Sequence, residues 1–305
     1  MSNNRREFLK NLSTLSIASG TSMLFPKSVL GFDKAPLFQI SLAQWSLQAS
    51  LFKGILTNLD FPAKAKREFD IDIVEYVSIF FKKQETNKNY LSELKMRTDD
   101  LGVRNHLIMV DGEGDLGDLS EEKRNAAVVN HYKWVDAAKY LGCDKIRVNA
   151  SGNGPINEVQ DAVVKGLSSL TKYAKAQGIS IIVENHGGYS SNGAWIANVM
   201  KRVDDNYCGT LPDFGNFKIS DTETYDLYKG VAEMLPYAKG ISAKTFNFDS
   251  GGYEPNIDYV RLFKMIKKSG FRGIVGIEWE GNSKSEHDGI LATKLLLEKV
   301  KQSLS

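Results

Sequence analysis

Residues 179–188 read Ile-Ser-Ile-Ile-Val-Glu184-Asn-His186-Gly-Gly, a β-branched run ending in a carboxylate, an amide and an imidazole. Such a run is expected to form a buried parallel strand that delivers polar groups at its C-terminal end. Alternation along a strand puts Glu184 and His186 on the face of Ile182, a packed one. A carboxylate there must be paired, protonated or bound to a cation, because desolvating a lone charge is costly even after relaxation. Other runs carry polar groups in the same way: Lys145-Ile-Arg147-Val-Asn149, Leu211-Pro-Asp213-Phe-Gly-Asn216, Ile241-Ser242-Ala-Lys244 and Ile277-Glu278-Trp-Glu280. The same alternation pairs Arg147 with Asn149, Ser242 with Lys244 and Glu278 with Glu280.

The elements that must position these residues alternate along the chain. Strand-like runs stand at 38–47, 71–80, 103–111, 145–150, 179–184, 209–213, 240–246 and 274–278. Amphipathic stretches separate them. In 120–141, for instance, Val128, Tyr132, Val135, Ala138 and Leu141 recur at helical spacing. Gly102, Gly142, Gly178 and Gly270 each precede a strand as the expected helix C-cap, and Asp60, Ser120 and Asn157 stand at expected helix starts. Eight strand-then-helix repeats predict an α/β fold, a (β/α)8 TIM barrel. Gln44-Trp45-Ser46-Leu47 after the first run is no glycine-rich phosphate fingerprint, which removes the main support for a dinucleotide-binding sheet. In such a barrel the C-terminal strand ends carry the chemistry, so Glu184, Asp213 and Glu278 are expected to meet at one mouth. Three crowded carboxylates require a cation or bound protons, and a hard divalent ion suits an oxygen-rich site. Trp45 supplies an aromatic wall for a sugar ring or barrel packing, and Arg147 an anion clamp or a neutralising charge.

The ordered set Ile-Val-Glu184-Asn-His186-Gly-Gly, Pro-Asp213-Phe-Gly-Asn216, Ser242-Ala-Lys244 and Gly-Ile-Glu278-Trp resembles the xylose-isomerase-like TIM barrels, the sugar phosphate isomerase/epimerase group, over residues 38–300. The resemblance implies a divalent metal (Mn, Mg, Co or Zn) on Glu184, Asp213 and Glu278, with a histidine from the seventh strand. It also implies that Glu184 and Glu278 are catalytic, moving protons on opposite faces of a sugar carbon. Two positions depart from the pattern: Ser242 stands where the group usually has the histidine ligand, and Asn216 where its sugar epimerases usually have a substrate-binding histidine. Either the three carboxylates hold the metal with water or with His186 reaching in as a fourth ligand, or the ammonium of Lys244 replaces the metal. His186, Asn216, Lys244, Arg147, Asn149 and Trp45 are the candidate substrate contacts.

Ordinary composition, a net charge of +2 and no basic stripe argue against nucleic acid as a partner. Cys143 and Cys208 are expected to be buried thiols, His106 a core histidine, and His131 and His287 surface groups. Residues 1–35 carry Arg5-Arg6 followed by a short, weakly apolar stretch. That stretch is too short and polar to span a bilayer, and the arrangement resembles a twin-arginine export signal. The expected organisation is therefore a signal segment over 1–35, a catalytic barrel over 36–305, a periplasmic location and no stable membrane anchor; the oligomeric state stays open. Three activities remain: an isomerase or epimerase that abstracts a proton beside the carbonyl of an unphosphorylated sugar, a keto-sugar lyase or hydratase, and a barrel that only binds sugar.

Overall fold

The computed structural model describes residues 36–304, so the expected export segment, Arg5 and Arg6 included, lies outside the described residues. The expected strands all form: β1 Gln39–Ala43, β2 Ile73–Val77, β3 Arg104–Met109, β4 Lys145–Asn149, β5 Ser180–Glu184, β6 Cys208–Leu211, β7 Ile241–Thr245 and β8 Ile274–Trp279. All pairings are parallel, in the order β6-β5-β4-β3-β2-β1-β8-β7. Between β6 and β7 the barrel is closed by isolated bridges, with Ser242 N–H donating to Pro212 O at 3.0 Å and Phe214 N–H to Ser242 O at 3.2 Å. Pro212 has no N–H to give, which is why regular pairing stops there.

Helices follow the strands: α1 Gln48–Phe52 and α2 Phe61–Phe69 after β1, then α3 Lys88–Leu101, α4 Glu121–Leu141, α5 Ile156–Ala176, α6 Gly193–Val203, α7 Leu227–Met234, α8 Tyr259–Ser269 and α9 Glu286–Leu304. This is a TIM barrel. Among the described residues no helix is long and apolar enough to cross a membrane. Gly102, Gly142 and Gly270 end their helices in the left-handed region, and Gly178 does so one residue beyond the cap Gln177. Ser120 caps α4 through Lys123 N–H, whereas Asp60 precedes α2 without capping through its side chain.

Several local expectations are corrected. The first two strands are shorter than their apolar runs, because 3₁₀ turns over Gln44–Leu47 and Ser78–Phe81 take the last residues of each. There the Gln44 amide oxygen accepts from Val77 N–H at 2.9 Å, tying the two turns together. Helix α5 starts at Ile156 with Pro155 as its N-cap, so Asn157 lies inside the first turn. His131 is buried, because α4 packs on that face and Nδ1 finds Ala127 O at 2.7 Å. Cys143 and Cys208 are buried free thiols, and His106 is a buried histidine with Nδ1 3.0 Å from Asp144 Oδ2.

The barrel interior is unusually polar. Ser41, Glu75, Lys145, Arg147, Glu184, Ser242, Lys244 and Glu278 are all buried, where branched apolar layers are the rule for this architecture. Such groups persist only where partners satisfy them, as Ser41 Oγ does in donating to Glu75 at 2.6 Å.

Candidate active site

Strand register sets the heights of the polar groups. Asn149 pairs with Glu184 across β4 and β5, Asp213 bridges to Ser242, and Lys244 pairs with Glu278 across β7 and β8. The extended run through Pro212 carries Asp213 past the end of β6 to the same level. Asn185 then locks the 213–216 turn by accepting from Asp213 N–H at 2.8 Å and donating to Asp213 O and Asn216 O.

Oxygens of Glu184, Asp213 and Glu278 lie within 4.8 Å of one another, and all three residues are buried. Ser242 Oγ is 2.6 Å from Asp213 Oδ2 and 2.5 Å from Glu278 Oε2. A hydroxyl carries one proton, so it donates to one of these carboxyls, and the other must itself be protonated to donate back. The electrostatics identify which. Burial drives Asp213 well above the usual carboxylate range, and Lys244 only partly offsets it. Burial also opposes ionisation of Glu278, yet Lys244 and the Ser242 hydroxyl outweigh it and hold that carboxyl below its ordinary value. Ser242 thus links a neutral Asp213 to an ionised Glu278 when no ion is bound. Glu184 is pushed up to about 7 by burial, against the lowering effect of Arg147.

Two cations face these acids. Lys244 Nζ stands 3.1 Å from Asn216 Oδ1, 3.1 Å from Glu280 Oε2, 3.7 Å from Asp213 and 3.8 Å from Glu278. Burial disfavours its charge, but the surrounding carboxylates more than restore it, leaving the ammonium above its ordinary pKa. Arg147 donates to Asp111 at 2.6 Å, and Asn149 donates to the same oxygen at 2.8 Å. Its Nε lies 2.8 Å from Glu184 Oε2, but the N–H is misaligned, and both atoms are left without a hydrogen bond. On the other carboxylate oxygen, Glu184 Oε1, Asn216 donates at 3.3 Å.

Through Glu278 the cluster borders a cavity of about 330 Å³. Trp45, Val77, Ile79 and Met109 make an apolar wall, while Asp111, Arg147, His186, Glu278 and Glu280 line the rest. Trp45 is oriented by its indole N–H, which donates to Glu280 Oε1. His186 stands exposed at the rim and outside the carboxylate cluster, so of the alternatives read from the sequence the one in which it joins the three carboxyls as a ligand is not in place. A larger cleft of about 490 Å³ lies between residues 248–252 and α9, but none of the strand-end carboxylates lines it.

The donor set fits a divalent ion. Three carboxyls converge, and Glu184 Oε2 is a buried oxygen with no hydrogen-bond partner. Asp111, Glu184, Asp213, Glu278 and Glu280 also outnumber Arg147 and Lys244.

The structure gathers Glu184, Asp213, Glu278, Arg147, Asn149, Asn216, Lys244 and Trp45 into one network with His186 at its rim, and it gives partners to three acids, Asp111, Glu280 and Glu75, to which the sequence assigned no role. Asp111 orients Arg147, and its signal was a carboxylate just past the end of β3. Glu280 holds both Trp45 and Lys244. Glu75 lies deeper in the barrel and is pushed up to about 7 by burial. The absent side chain of Gly276 leaves room for it, since a Cβ there would meet the Glu75 carboxylate at 2.8 Å.

Comparison with known proteins agrees with this architecture. The zinc-bound IOLI protein superposes with a TM-score of 0.67 at 14% identity, covering 87% of this chain and 99% of that one. The 3-keto-D-glucoside 4-epimerase of E. coli gives 0.63 at 16% identity, covering 86% and 99%. At such identities the likeness is one of fold. A C-glycoside deglycosidase alpha subunit from Arthrobacter globiformis is 33% identical over 51 residues, a stretch spanning 17% of this chain and 14% of the relative. The family model described as xylose isomerase-like TIM barrel matches residues 62–299, and the chain belongs to that family.

Proposed function

We propose that this barrel is a sugar epimerase or isomerase that removes a proton from the carbon beside a sugar carbonyl and acts on an unphosphorylated carbohydrate. The observation that carries this proposal is the meeting of Glu184 and Glu278, from β5 and β8, with Asp213 beside a cavity that Glu278 lines and that apolar groups wall on one side. A carboxylate at each of two positions lets one group take a proton from the carbon while the other returns one. Their surroundings push the two carboxyls in opposite directions, as suits an acid and a base. Lys244, Asn216 and Asn149 hold sugar hydroxyls, His186 closes the rim, and Trp45 packs an apolar sugar face. Arg147 stays engaged with Asp111 and Glu184 and orients the latter. A divalent ion on Glu184, Asp213 and Glu278 would polarise the carbonyl oxygen, and a bound zinc atom in one neighbour of the same fold supports that reading.

The charge around the cavity favours a neutral substrate. Asp111, Glu278 and Glu280 line it, and the cation among the lining residues, Arg147, is already paired, so a phosphate dianion would meet carboxylates. Neutral glycosides and their oxidised forms fit the exported location that we also propose. A second reading, elimination from a keto-sugar, begins with the same proton abstraction, and the short match to a deglycosidase favours it among the alternatives.

Hydrogen exchange tests the proposal. On a panel of ketoses, aldoses and keto-glycosides that includes 3-keto-D-glucosides, Glu184→Gln and Glu278→Gln are expected to stay folded, bind sugar and lose exchange of carbon-bound hydrogen with deuterated solvent by at least about a hundredfold. Asn216→Ala should mainly raise KM. Exchange at the parent rate in both Gln variants would refute proton abstraction by these groups. Binding by the parent without any exchange would identify a sugar-binding barrel.

A further inference from the structure

The apolar wall does not stop at the cavity. Trp45 and Ile79 line the cavity, and both belong to 3₁₀ turns at the C-terminal ends of β1 and β2. Outside it, the Trp45 ring lies 6.1 Å from Phe52 and 6.3 Å from Phe80, and Phe52 and Phe80 meet edge-on at 5.1 Å. Phe80 is buried, but Phe52 is 57% exposed and Ile79 53% exposed. A packed aromatic cluster therefore runs from the cavity wall to the surface, and with Ile79 it presents two large apolar side chains to water beside the mouth. Exposed apolar surface continuous with a cavity is characteristic of a ligand-binding groove. The side chains of Phe52, Ile79 and Phe80 carry no polar atom, and the indole N–H of Trp45 is already taken by Glu280. The cluster thus offers a molecule seated on the carboxylates contact area but no hydrogen bonds.

We infer that Trp45, Phe52, Ile79 and Phe80 form a subsite for an uncharged, apolar or aromatic substituent of the substrate, so that the preferred ligand is a glycoside with an apolar aglycone. This rests on the sugar-directed reading of the neighbouring site. Indole and phenyl faces pack a flat substituent in offset or edge-on geometry, and the acidic rim groups Asp111 and Glu280 disfavour an anionic one.

The test compares methyl and phenyl glycosides of the same keto-sugar. Binding is followed by calorimetry, and hydrogen exchange is measured separately, with the parent, Phe52→Ala and Ile79→Ser. The phenyl glycoside is expected to bind the parent about tenfold more tightly than the methyl glycoside. Each substitution should bring that ratio towards one. Equal binding of the two glycosides by the parent, or a ratio unmoved by both substitutions, would overturn the subsite. So would binding of neither glycoside, or a dimer in sedimentation that the two substitutions dissociate, which would make the patch an interface between copies. Preferential phenyl-glycoside binding that falls in both variants, without hydrogen exchange in the parent, would leave the subsite standing and remove proton abstraction alone.

Discussion

Ser242 shows how much one substitution of residue type rearranges a site. Its hydroxyl spans Asp213 and Glu278 in a contact that requires one of the two acids to be neutral, and burial puts that proton on Asp213. An incoming divalent ion must displace this proton and, below about pH 7, the one on Glu184. Ion affinity, measured by calorimetry, is therefore expected to rise as pH climbs from about 5 to about 8. An ion held at a hundred times its Kd should stabilise the fold by about 2.7 kcal/mol, with chelator reversing the shift in Tm. A melting temperature indifferent to both ion and chelator would leave Lys244 as the cation of the site.

At the scale of elements, the two ends of the strands do different work. The N-terminal ends of β3 and β4 hold His106 against Asp144 and Lys145. Burial depresses the His106 imidazole to about 4, with Asp144 opposing. Because the folded value lies below the unfolded value of about 6.5, the unfolded chain takes up a proton that the folded chain refuses. Stability should therefore fall as pH drops from about 6.5 to about 4, by up to about 3 kcal/mol from this group. His106→Gln should remove that component, read as the difference between the urea midpoints of parent and variant across the pH series. Deeper in the barrel, β8 passes Glu75 with no side chain at Gly276. Gly276→Ala should cost about 1–3 kcal/mol through overpacking. Adding Glu75→Ala should recover part of it, and additive losses in that cycle would mean that the two positions do not meet.

For the whole molecule, the barrel supplies a rigid ring on which strand-end residues far apart in sequence converge. Arg5 and Arg6 lie outside the described residues, and their proposed role concerns where the folded barrel goes. Replacing both with Lys is expected to leave the protein in the cytoplasm of its host, followed by fractionation. Normal export of that variant would remove the twin-arginine assignment and leave the barrel untouched.

The eight strands and the strand-end carboxylates were legible in the sequence because parallel strands buried on both faces read as β-branched runs, so a polar residue at their ends stands out. Parity along each strand placed Glu184, Ser242, Lys244 and Glu278 correctly, since side chains alternate strictly. Local pattern carried no information about distances between strands. It did not distinguish the last strand residues of the first two runs from the 3₁₀ turns that replace them. It gave no sign that α4 would be covered at His131, that Asp111 would pair with Arg147, or that Glu280 would hold both Trp45 and Lys244. Those contacts join residues from 36 to 235 positions apart. Only closure of the barrel sets them, because the protonation of Asp213, the charge on Lys244 and the orphaned oxygen of Glu184 depend on burial and on neighbours contributed by other strands.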